Sequence, residues 1–108
     1  MNRKWIEDYQ NICEELESLY QALETAERAS PFQAMEMATK YGGRVKELTA
    51  NKTAAEKFVR ALPWGKRKLA RTVMKHGPHW DLVRREMHSM KSPDALRMEF
   101  SRLFENNL

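Results

Sequence analysis

Apolar side chains recur at Trp5, Tyr9, Ile12, Leu16, Leu19, Leu23 and Ala26. These intervals of alternately four and three residues hold them on one stripe of an α-helix. Ile6, Cys13 and Tyr20 widen that stripe, while Glu7, Glu14, Glu17, Gln21 and Glu24 lie away from it. The pattern predicts a long, acidic, amphipathic N-terminal helix over residues 3–28, roughly 39 Å at about 1.5 Å per residue. A stripe this wide suits a helix packed in a bundle better than the narrow seam of a two-stranded coiled coil. It also leaves an edge for a protein partner or for self-association.

The remaining elements follow from punctuation. Ser30-Pro31 with Gln33 reads as a capped helix start, and the helix runs through Met35, Ala38 and Tyr41 to Gly42-Gly43. That pair is expected to end or kink it before Val45 and Leu48. Thr53-Ala54-Ala55-Glu56 reads as a capping box ahead of Phe58, Val59 and Leu62, and Pro63 and Gly65 then interrupt the chain. Lys66–His76 reads as a further helix closed by Gly77-Pro78, and Trp80–Met90 as the next. Ser92-Pro93 opens the last, which carries Leu96, Phe100, Leu103 and Phe104. The expected fold is all-α, a compact bundle of about five or six helices forming a single domain over 1–108.

Composition supports this reading. A chain of 108 residues has room for one core, and with 42% hydrophobic residues it is too apolar for disorder. No apolar run approaches the roughly 20 residues of a membrane span, and the N-terminus lacks a signal peptide's apolar stretch. Cys13 stands alone, which excludes an internal disulfide and fits a reducing compartment. A cytoplasmic protein without membrane contact is expected.

Charge changes the picture more. Residues 1–55 carry seven Lys or Arg against nine Asp or Glu, whereas residues 56–108 carry twelve against six. A polyanion therefore meets mainly the second half, residues 53–108. On a helical projection Leu69, Ala70, Val73 and Met74 gather on one side and Arg67, Lys68, Arg71 and Lys75 on the other. Arg84 and Arg85 flank the apolar face of the next helix, so two successive helices can show basic flanks to one partner. Phosphates neutralised by Lys or Arg release counterions, which builds affinity without base-specific contacts. Arg adds bidentate bonds to phosphate, and an exposed Trp stacks on a base. Trp64, in a break after proline, is the candidate platform, while Trp80 sits at core spacing with Val83 and Met87.

The candidate site is thus Lys66, Arg67, Lys68, Arg71, Lys75, Arg84 and Arg85, with Trp64. The expected function is that of a small non-catalytic accessory protein that binds nucleic-acid backbone with weak sequence specificity, within a nucleoprotein complex. A charge run opposite an apolar face is equally what a solvated helix looks like. The alternative is a helical protein-interaction module, adaptor or inhibitor, that uses the long N-terminal helix.

Enzymatic and cofactor chemistry is not expected. Gly77-Pro78 keeps His76 and His79 off a common helical face. The two further ligands a zinc site needs would have to come from His88, Cys13 or scattered carboxylates, so the histidines read as turn residues. Gly42-Gly43 has neither the preceding strand nor the Gly-Lys-Ser/Thr ending of a phosphate loop. Met35, Met37, Met74, Met87, Met90 and Met98 read as gap-filling core residues, with an adaptable protein-binding surface as the alternative for any exposed subset.

Overall fold

The computed structural model describes residues 1–105 and is built from six helices, with no strand among those residues. They are α1 (Lys4–Glu7), α2 (Tyr9–Ala29), α3 (Pro31–Ala61), α4 (Trp64–His76), α5 (Trp80–Met87) and α6 (Pro93–Glu105). The all-α class and the bundle architecture are as the periodicity predicts. The last three positions of the basic half lie outside the described residues. Among the described residues, no helix is long and apolar enough to cross a membrane.

Two helix starts form as their sequences dictate. Ser30 Oγ accepts the Gln33 amide at 3.1 Å with Pro31 in the first turn of α3, and Ser92 Oγ accepts the Ala95 amide at 3.1 Å ahead of α6. Each bond satisfies one of the amides that a helix N-terminus leaves open.

Several boundaries differ from expectation. Helix α4 starts at Trp64 rather than Lys66, so Trp64 and Gly65 lie in its first turn and not in a break. The N-terminal helix is broken at Asp8, whose φ of −100° and ψ of 13° lie in the bridge region. The break re-aims α1, so that Ile6 is fully buried in the main core while Ile12 and Leu16 are buried against α3. The longest helix is therefore the central α3, of 31 residues, rather than an N-terminal one. Gly42-Gly43 and Thr53 do not interrupt α3. Neither glycine has a positive φ, and packing fixes the rod on both sides of them. Val45 and Leu48 close on α2, and Ala55 and Val59 enter the main core. Cooperative helix propagation then carries the chain through the pair, offsetting their poor propensity. Finally, α5 stops at Met87 because His88 takes the left-handed conformation. The Ser89 and His88 amides turn back to the carbonyls of Arg84 and Arg85 in a Schellman-type close.

The main core joins α1, α3, α4, α5 and α6 around Phe100, Ile6, Leu69, Leu96, Val73 and Val83. Phe104 stacks on Phe58 with ring centres 5.1 Å apart, and Trp80 tilts against Phe100 at 5.5 Å, which makes Trp80 a core-packing residue. Arg3 staples the first turn to the last helix, reaching Ser101 Oγ at 3.0 Å and lying 5.6 Å above the Phe100 ring. Gly77, with φ of +74°, turns the chain from α4 toward α5 beside the Glu7 carbonyl.

From this core α2 and α3 run out as an antiparallel hairpin, giving the molecule a length of 56 Å against a thickness of 19 Å. Its seam is the smaller cluster of Ile12, Leu16 and Leu48, reinforced by a two-pronged Arg44–Glu15 pair at 3.0 and 2.9 Å. Toward its tip the hairpin exposes Tyr20 (51%), Phe32 (76%) and Met35 (72%). Met90 and Met98 are exposed as well. The core reading of the methionines thus fails for these three, and it holds for Met74 and Met87, which pack against the main core.

Candidate nucleic-acid interface

Helix α4 organises the site. Its apolar side is committed to the core through Leu69, Ala70 and Val73, which fixes the rotation of the whole helix and turns its basic residues outward. The sequence of α4 contains five Lys or Arg and no acidic residue. Pro63 at its N-cap has no side-chain acceptor, and no side chain caps the first turn.

The outward side of α4 and the facing edge of α5 enclose a groove of about 310 Å³. Trp64, Arg67, Lys68, Arg71, Thr72, Lys75 and Glu86 line it. Five of the eight sequence-predicted site residues are therefore brought together: Trp64, Arg67, Lys68, Arg71 and Lys75. Lys66, Arg84 and Arg85 are exposed but do not line the groove. The reason lies in the rotation of α5. Val83 points into the core, so Arg84 and Arg85, about 100° and 200° further round, turn away, and Glu86 comes to the groove instead.

The five residues in the groove are not equivalent. Trp64 stands at the start of α4 with 78% of its surface exposed. Among the described residues no ring, cation or hydrogen-bond partner engages its indole. Lys68 and Arg71 are exposed and, among the described residues, without an acidic partner. Arg67 is turned into the protein: its Nη2 donates to the carbonyls of Arg60 and Leu62, both at 3.0 Å. Those carbonyls belong to the C-terminal end of α3, where acceptors lack helical donors. Lys75 Nζ donates to Glu86 Oε1, while Glu86 Oε2 pairs with His76 Nε2 at 3.0 Å. The bond from Lys75 holds the Glu86 carboxyl below its ordinary value, against some desolvation, and the charges of Lys75 and His76 add to it.

Beyond Arg71 a smaller cleft of about 220 Å³ is lined by Tyr9, Glu56, Val59, Arg60, Arg71 and Met74. Burial pushes the Tyr9 hydroxyl well above its ordinary value, and Cys13 and Glu56 push it further, so it stays a neutral phenol. A broader, shallower depression lies on the outer face of α3 over Gly42, Gly43, Thr49 and Ala50. No group of three His, Cys, Asp or Glu side chains gathers to hold a metal among the described residues.

Helical projection locates the basic face but misses two features of it. Glu86 is acidic among basic neighbours in sequence, and its approach to Lys75 depends on the angle of the turn at Gly77-Pro78. Arg67 lies on the projected basic side, yet the chain reversal at Leu62-Pro63 brings α3 carbonyls within its reach. Neither signal is present in periodicity alone. Comparison of the chain with protein-family models, curated proteins and solved structures returns no match.

Proposed function

We propose that the protein binds nucleic-acid backbone through the α4 groove, as a small non-catalytic accessory component of a nucleoprotein complex. The observation that carries this reading is the pairing, on one helix flank, of two uncommitted cations with an uncovered indole. Among the described residues Lys68 and Arg71 have no acidic partner, and Trp64 stands exposed at the same groove. Cations that no carboxylate neutralises are available to phosphate, and Arg71 retains its planar fork for bidentate recognition. Lys66 is exposed but lies outside the groove, about 200° round the helix from Trp64. Arg67 belongs to the fold in this reading, and Lys75 is held by Glu86.

Charge reversal tests it. Lys68→Glu with Arg71→Glu replaces two exposed side chains away from the core, so the circular dichroism spectrum should be unchanged. Gel-shift binding of mixed-sequence nucleic acid should be abolished. Retention of binding by a folded double variant would refute the assignment.

A second reading is favoured by the hairpin. Tyr20, Phe32 and Met35 are exposed apolar side chains on an element that projects from the core, as suits an adaptor that grips a protein partner. The two readings are compatible, because hairpin and groove occupy different parts of the molecule.

A further inference from the structure

The groove has a direction. Trp64, Lys68, Arg71 and Lys75 follow one another at intervals of four, three and four residues, which sets them in a single row along α4. The row spans about 16 Å at about 1.5 Å per residue, enough for a few nucleotides. It begins with an aromatic face and continues as cations. At its far end the sign changes, because Glu86 reaches across from α5 and closes on Lys75 and His76.

Resting on the nucleic-acid reading above, we propose that the ligand is a single strand rather than a duplex, with one base stacked on Trp64, phosphates on Lys68 and Arg71, and Glu86 marking where the strand leaves the groove. In a duplex each internal base is covered on both faces by its neighbours and offers nothing to an indole. A single strand presents its bases, and aromatic stacking there is tolerant of sequence. The chemistry of the row matches such a ligand in order: apolar and planar first, cationic next. Glu86 acts at the other end by two effects. Its carboxylate repels phosphate, and it occupies the ammonium of Lys75, the next cation in the row. The groove therefore has two phosphate positions where its cation spacing alone offers three.

The test is an anisotropy series with labelled oligo(dT), labelled oligo(U) and a labelled blunt duplex, each titrated at several salt concentrations. Wild type, Trp64→Ala, Trp64→Phe and Glu86→Gln are compared, with circular dichroism to verify folding. Wild type should bind at least one of the single strands more tightly than the duplex. Trp64→Ala should weaken that binding by about 5- to 150-fold and leave the duplex unaffected, while Trp64→Phe should retain most of the affinity. Glu86→Gln should release Lys75 and steepen the salt slope for single strands by about 0.7. Equal binding of strand and duplex with no effect of Trp64→Ala would overturn the stacking assignment and leave the basic groove standing. An unchanged slope in Glu86→Gln would overturn the role of Glu86. Failure of wild type to bind any of the three probes at low salt would instead overturn the nucleic-acid reading itself.

Discussion

The Arg67 guanidinium closes on the Leu62 carbonyl at 3.0 Å, and the same nitrogen reaches the Arg60 carbonyl at 3.0 Å. One side chain thereby ties the start of α4 to the end of α3, across the turn at Pro63. In sequence Arg67 is one of a run of basic residues, whereas in the fold it is the one that caps another helix.

Stability should separate it from its neighbours. Arg67→Ala strands two carbonyls at the α3 terminus and is expected to cost about 1–2 kcal/mol, given partial exposure to water. Lys68→Ala and Arg71→Ala change solvated positions and should stay within about 0.5 kcal/mol of wild type. Urea unfolding followed by circular dichroism measures all three. An Arg67→Ala protein as stable as wild type would show that the cap contributes nothing.

The glycines of α3 give a prediction of opposite sign. A Cβ at Gly42 or Gly43 meets nothing within 4 Å, and both positions lie inside a continuous helix. Alanine at either should therefore stabilise by about 0.8–1 kcal/mol. A gain of that size raises the melting temperature by about 4–8 °C in a domain of this length. A fall in melting temperature would mean that the break expected from the sequence exists in solution.

How far the sequence reveals this structure depends on where the deciding interaction lies. The stripe through Ile12, Leu16 and Ala26 is a local pattern, and those residues are buried as it predicts. The caps at Ser30 and Ser92 are local too, and both form. Gly42-Gly43 and Thr53 mislead because their local preferences are weak beside the packing of Leu48 on α2 and Val59 in the main core. The basic row on α4 is legible because burial of Leu69 and Val73 fixes the helix rotation. The absence of Arg84 and Arg85 from the groove, and the presence of Glu86, are not legible, since both depend on how α5 is set against α4.

Acid should loosen two ion pairs that join successive helices, α2 to α3 and α4 to α5. The Arg44 guanidinium beside Glu15 and the Lys75 ammonium beside Glu86 hold both carboxyls below their ordinary value of 4.5. A carboxyl with a lowered folded-state value contributes fully above its unfolded value and loses that contribution as pH falls through the folded one. Stability should therefore be flat above about pH 5.5 and decline as pH falls through 4.5 and below. Melting temperatures of wild type, Glu15→Gln and Glu86→Gln across this range check the sign. Each variant should be less stable than wild type near neutrality and converge on it in acid. Differences that persist unchanged at low pH would place the effect elsewhere.

The central claim, that Lys68 and Arg71 are phosphate contacts, is tested most directly by the salt dependence of oligonucleotide binding to wild type and to the Lys68→Ala, Arg71→Ala double variant. Loss of two contacts should weaken binding and lower the slope of log affinity against log salt by about 1.4 for a single strand. The same affinity and the same slope in both proteins would contradict the account, and would leave the basic face of α4 as a surface that meets only water.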